Sequence, residues 1–317
     1  VLVAPAVAVL LLTGCGPRTS AGSDPAPVDQ TAPEGWRWEA FRGVEVAVPG
    51  DWGWTNSGQR IGQWCVGERG DRDLSPAVGR PGVSTMVACP SEGDGPPPDT
   101  LTRNTGDVVA FEAAAGARPG DVGDRRTVVA GKVAVLVQTA DPALRARIAE
   151  TVRAVEVTST GCPMDHPLAH DPGRRPEPGT GLADLVDVRS VTACKYAVDR
   201  PGDRTDLPPL TATRQFTGQS ARDLVAALAA APAGGGPNRP DSCLPEYAYG
   251  DEVLLLDIRH AEGVEHVVVT YAGCDHNGID DGTTVRRLTR EAVRPLVDGP
   301  LAMLGGFSSQ LHGILGG

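Results

Sequence analysis

The stretch EVLLLDIRHAEGVEHVVVTY, residues 252–271, decides how the chain is read. Two short runs rich in Val, Leu and Ile flank the polar segment RHAEGV. Runs of that length and branching form strands, and a short glycine-containing connection folds two of them into an antiparallel hairpin. A second such pair lies upstream in RTVVAGKVAVLVQTAD, residues 126–141, which divides at Ala130-Gly131 into two strands with a tight turn. Hairpins interrupted by lone helices point to α+β layering and away from a doubly wound parallel sheet.

The helices are marked by their ends. Asp141 is placed to cap a helix whose first turn holds Pro142, with Leu144, Ile148 and Val152 on one face. QSARDLVAALAAAP, residues 219–232, reads as a helix with Ser220 and Asp223 in capping-box spacing, ended by Pro232 and a run of glycines. LTREAVRPLV, residues 288–297, marks a third. Further strands are expected at QWCVG, STMVAC, DVVAFEA, AVEV, LVDVRSVTACKYAV and PLTATRQFTG. In RGVEVAVPGDW, residues 42–52, Val44, Val46 and Val48 alternate with Glu45 and Ala47, as in a strand buried on one face.

STGCPMDHPLAHDPGRRPEPGTG, residues 159–181, has no apolar period and many prolines, so it reads as a linker pinned near one end by Cys162. The expected fold is α+β, with two small domains over 36–158 and 182–317. Each is a mostly antiparallel sheet with one or two packed helices.

The first of these resembles the PsbP-like α/β sandwich of some exported lipoproteins, through its order of elements and its VPGDW stretch, residues 48–52. The resemblance implies a layered architecture and an accessory or binding role. The amino end carries a second resemblance. Residues 1–12 are almost wholly apolar, the length of a signal-peptide core and too short to span a bilayer. They run into Leu12-Thr13-Gly14-Cys15, which is similar to a bacterial lipobox. That likeness implies removal of residues 1–14, acylation of Cys15 and anchoring at the extracytoplasmic face of the cell membrane. Residues 15–35, rich in Pro, Ser, Ala, Thr and Gly, read as a flexible tether.

Besides Cys15 there are six cysteines: Cys65, Cys89, Cys162, Cys194, Cys243 and Cys274. An even number in an exported chain reads as disulfides. Cys65 and Cys89 stand alone in the first domain and should pair. Cys243 and Cys274 flank the open end of the 252–271 hairpin, and Cys162 is then left for Cys194. No CxxC occurs, so zinc-ribbon and thioredoxin-type spacings are missing.

Net charge is −11, a poor balance for nucleic acid. Lys132 and Lys195 are the only lysines. In GCDHNGIDDG, Asp275, Asn277, Asp280 and Asp281 gather oxygen ligands that suit calcium or another hard cation. The register departs from an EF-hand at Ile279, Asp280 and Arg286, and the same residue types also build turns. His166 and His170 lie in the linker with Pro167 between them, and His260 and His266 flank the hairpin turn, where they could approach each other. Trp52 and Trp54, two apart, would share one face of an extended segment. There they serve either as a platform for a glycan or apolar ligand or, in a small domain with few Phe, as aromatics that fill the core and staple strand ends. No GxSxG, SxxK, HExxH or nucleotide-binding glycine loop is present, so no catalytic residue is assigned. The expected function is a lipid-anchored protein that binds an envelope protein or glycan. The alternative is a cell-envelope hydrolase with a site assembled between the domains.

Overall fold

The computed structural model describes residues 31–54, 76–80, 107–199, 206–303 and 309–316, with Val1 besides. Cys15, Cys65 and Cys89 lie outside the described residues, as do the expected strands QWCVG and STMVAC.

The first half contributes β1 (Trp36–Phe41), β2 (Val44–Pro49), β3 (Gly53–Trp54), β4 (Ala77–Gly79), β5 (Val108–Ala113), β6 (Gly120–Val122), β7 (Arg125–Ala130), β8 (Val133–Gln138), α1 (Pro142–Glu150) and β9 (Arg153–Ala154). Then follow α2 (Pro167–His170), β10 (Ser190–Ala197), β11 (Leu210–Thr217), α3 (Gly218–Ala230), β12 (Glu252–His260), β13 (Gly263–Thr270), β14 (Gly278–Asp280), β15 (Val285–Arg286), α4 (Arg290–Val293) and α5 (Ser309–Leu315).

Among the described residues the strands form three sheets, a mixed α and β architecture dominated by sheet. A small sheet has the order β1-β2-β9, and a six-stranded one the order β3-β4-β5-β8-β7-β6. In the latter β3, β4 and β5 run parallel and the rest antiparallel. The second half builds an all-antiparallel sheet ordered β11-β10-β12-β13-β14-β15.

The first core lies between the small sheet and the first large one. Val44, Val46 and Val48 meet Val109, Phe111, Val133, Val135 and Val137, and Ile148 of α1 closes the layer. The Phe41 and Phe111 rings meet at 5.6 Å. Contrary to the one-sided strand expected, β2 is buried on both faces. Glu45 is enclosed because Arg153 and Ser159 supply it with donors at 2.7–3.0 Å.

α1 starts as its sequence dictates. Asp141 accepts hydrogen bonds from the Ala143 and Leu144 amides at 2.8 and 3.2 Å, and Pro142 occupies the first turn. Asp141→Ala should cost about 1 kcal/mol in urea unfolding, the usual worth of an N-cap; no change would show that packing alone holds the helix. In α3 the expected capping box is absent. The helix begins at Gly218, so Ser220 already lies in its first turn and donates to the Thr217 carbonyl, while Asp223 accepts from Gln219. Ala221, Leu224, Val225 and Leu228 form its buried stripe.

The 252–271 hairpin forms as read, with Ala261 and Glu262 as a two-residue turn between His260 and Gly263. Its apolar runs are continuous because both faces are covered. Leu254, Leu256, Ile258, Val267 and Val269 pack beneath α3 and α4. Val253, Leu255 and Val268 face Cys162, Met164, Leu168 and Ala169. The stretch expected to be a linker is therefore folded onto the sheet as its second cover. Too few apolar residues, too irregularly spaced, mark it for any periodic pattern to appear.

Both expected bridges in this half are present. Cys162–Cys194 stitches the cover to β10, with Cα atoms 5.6 Å apart, and Cys243–Cys274 closes the open end of the hairpin at 5.3 Å. α5 brings Leu311 into the second core. Among the described residues no helix is long and apolar enough to cross a membrane.

Candidate functional site

The two halves meet along a seam whose chemistry begins at the β1–β2 turn. A two-residue hairpin turn needs left-handed backbone, and here Arg42 and Gly43 supply it, with φ of 50° and 92°. The turn docks on the second half. The Arg42 amide donates to the Leu210 carbonyl at 2.7 Å, and its guanidinium donates to Pro208 at 3.0 Å. A side chain on Gly43 would meet Pro208 at 3.2 Å. Ala40 joins the cluster of Tyr196, Leu210 and Met164.

Beside the turn, β1 carries Glu39 into the seam. Its carboxylate accepts from Arg37 at 2.7 Å, from the Trp54 indole at 2.8 Å and from Arg80. Burial pushes this carboxyl up, but Arg80 and Arg37 outweigh it and hold it below the ordinary glutamate value. Arg37 also lies 4.2 Å above the Trp54 ring, and the ring packs against Gly299.

The second half answers with its own buried pair. Lys195 of β10 is fully enclosed, and its ammonium has three acceptors for three protons: Glu252 at 2.7 Å, the Ala302 carbonyl at 2.6 Å and the Leu301 carbonyl at 3.3 Å. Tyr271 donates to the other oxygen of Glu252 at 2.8 Å. Burial holds Lys195 below the ordinary lysine value, against the pull of Glu252, and burial together with Glu252 pushes the Tyr271 hydroxyl well up. Arg80 stands close enough to Lys195 for the two cations to repel, which also lowers the lysine, so the clusters face each other through like charges. Chemically each cluster is a clasp within its own half: Arg37 and Arg80 hold Glu39, and Lys195 holds Glu252.

The chain matches no family model, no curated protein and no solved structure. The site has to be read from its own geometry.

The residues singled out from sequence fall elsewhere. Trp52 is a core residue, 5% exposed, whereas Trp54 is 36% exposed and covered by Arg37, so the two share no platform. Trp52 is packed into the first core with Val46, Val48 and Phe111, which withdraws its ring from any exposed face. Trp36 and Trp38 instead lie under Arg147 and Arg153, at 4.7 and 4.1 Å.

In the acidic loop the oxygens have partners of their own. Asp281 accepts from Thr283, from the Thr284 and Leu182 amides and from Arg286. Burial raises its carboxyl, and these donors together force it far below the ordinary value. Asp280 is held bidentately by Arg175 at 2.7 and 2.8 Å. Asn277 braces Gly273 and Pro237, and Asp275 accepts from the His276 amide. Among the described residues no group of three or more His, Cys, Asp or Glu side chains is arranged to hold a metal ion.

His260 and His266 point to opposite faces of the sheet, since strand parity separates them. His260 lies on the side of Ile258, whereas His266 bonds Asp257 at 2.7 Å. His166 caps α2 through its ring, accepting from the Leu168 amide, and stacks on Tyr196 at 5.4 Å. His170 sits between Asp165 and Asp199.

Sequence reading passed over Glu39, Arg80, Glu252 and Tyr271 altogether. One signal was available for the cluster. A lysine, one of two in the chain, stands amid VTACKYAV, in a strand whose neighbours are apolar on both sides.

Proposed function

We propose that the chain is an extracytoplasmic lipoprotein, tethered to the outer face of the cell membrane through acyl groups on Cys15, and that it acts by binding an envelope protein or glycan. The observation that carries this reading is the pair of closed bridges, Cys162–Cys194 and Cys243–Cys274. Such bridges persist in oxidising compartments and are rare in reducing ones. They agree with the lipobox-like LTGC of residues 12–15 and the tether behind it. In this reading the two halves are two small domains, the first a PsbP-like sandwich, packed against each other along the seam.

The hydrolase alternative places its acid and base between the halves. Glu39 and Glu252 stand there, each buried and ion-paired to a cation, a setting that favours a fixed scaffold over proton transfer. This supports binding as the role.

Membrane fractionation and intact mass of the protein from its native envelope test the reading. The expected result is a membrane-bound species beginning at Cys15, carrying at least two acyl chains, released to the soluble fraction by Cys15→Ala. Two chains give stable anchoring where one does not. A soluble, unacylated protein with free thiols in the native envelope would overturn it.

A further inference from the structure

His170 stands where α2, at the end of its one turn, meets the chain leaving β10. Its Nδ1 lies 2.9 Å from Asp199 Oδ2, and its Nε2 lies 2.7 Å from Asp165 Oδ1. Ionised carboxylates only accept hydrogen bonds, and a neutral imidazole carries a single N–H. Both contacts are therefore satisfied together only by the imidazolium. The two carboxylates lie at opposite edges of the ring, so one cation could not replace the proton by touching all three groups.

The surroundings give the contact a reach beyond itself. The Asp199 amide donates to the Ala169 carbonyl at 2.8 Å. Next to Asp165, the Met164 carbonyl accepts from the Leu210 amide at 3.2 Å, while the Leu210 carbonyl accepts from the Arg42 amide at 2.7 Å and so docks the first half. His166, beside Asp165 in the chain, lies within electrostatic reach of Asp257, Arg174, His266 and Asp165 itself. We propose that His170 is a proton-operated clasp: protonated, it ties the cover of the sheet to Asp199 and so steadies the Arg42 turn at the seam; neutral, it releases one carboxylate and loosens that turn.

The hydrogen bonds to Asp199 and then Asp165 raise the His170 ionisation above the ordinary histidine value. A raised folded value means the stabilisation is complete below the unfolded value of about 6.5 and is lost as pH rises through the folded one. The seam should thus be tighter in mild acid.

Long-range proton–nitrogen NMR of the full chain tests this, together with amide exchange at Arg42 corrected for its intrinsic pH dependence. Expected are protons on both His170 ring nitrogens at about pH 6, a midpoint above about 6.5 that falls in Asp199→Asn, and Arg42 protection that drops about two- to five-fold by about pH 8.5. His170→Gln should remove that drop; the ring is half-exposed, so the fold tolerates the change. A midpoint at or below the ordinary value, or an equal drop in His170→Gln, would overturn the proposal.

Discussion

Lys195→Ala should lower the stability of the chain by about 3–5 kcal/mol in urea unfolding, the cost of stranding one member of a buried ion pair. Removing the ammonium leaves Glu252 enclosed with Tyr271 as its remaining donor, and it takes the shared donor from the Leu301 and Ala302 carbonyls. The pair itself is a different matter. Two charges withdrawn from water give back most of their mutual attraction as desolvation, so an uncharged pair of similar size can do as well. Lys195→Met combined with Glu252→Gln, which keeps an acceptor for Tyr271, should recover most of the loss. A single substitution costing under about 1 kcal/mol would mean that water reaches the pair and that the clasp is not sealed.

The second large effect is expected at Cys162–Cys194. The two described bridges close loops of nearly equal length, with sequence separations of 32 and 31. The chain-entropy contribution of each should therefore be the same, and removal of either costs about 2–5 kcal/mol. Their surroundings differ. Cys162 and Cys194 are wholly buried beside Met164, Leu168 and Tyr196, whereas Cys243 lies partly open to solvent. Replacing the buried pair by alanine also leaves a void under the cover of the sheet, and voids add to the cost. Its urea midpoint should fall further than that of Cys243→Ala with Cys274→Ala. Equal losses would show that the cover adds nothing to the bridge beyond loop closure.

Much of the fold was legible where a signal is local. A two-residue turn between apolar runs, an aspartate before a proline at a helix start, and cysteines flanking the open end of a hairpin each have one main structural solution, and each was found. The cover over 159–181 was not legible, because Cys162, Met164, Leu168 and Ala169 are buried without any period. The clue lay in its partner. Runs such as VLLL and VVV have no polar face, so such a sheet needs two covers, and the helices supplied only one. The pairings of Glu39 with Arg80 and of Lys195 with Glu252 escaped notice because the partners lie far apart in the sequence, and only the packed strands bring them together. His260 and His266 illustrate the opposite error, in which closeness in sequence suggested a pairing that strand parity forbids.

The distribution of aromatic residues offers the most direct test of the seam. All five tryptophans lie before residue 65, and all four tyrosines, Tyr196, Tyr247, Tyr249 and Tyr271, lie in the second half. Urea unfolding followed by tryptophan fluorescence and by NMR signals of labelled tyrosine therefore reports each half separately. If the seam contacts of Arg42 with Leu210 and Pro208, and of Trp54 with Gly299, join the halves into one cooperative body, the two midpoints coincide, and Lys195→Ala moves both by the same amount. Two separate midpoints, with Lys195→Ala shifting the tyrosine signals alone, would contradict it.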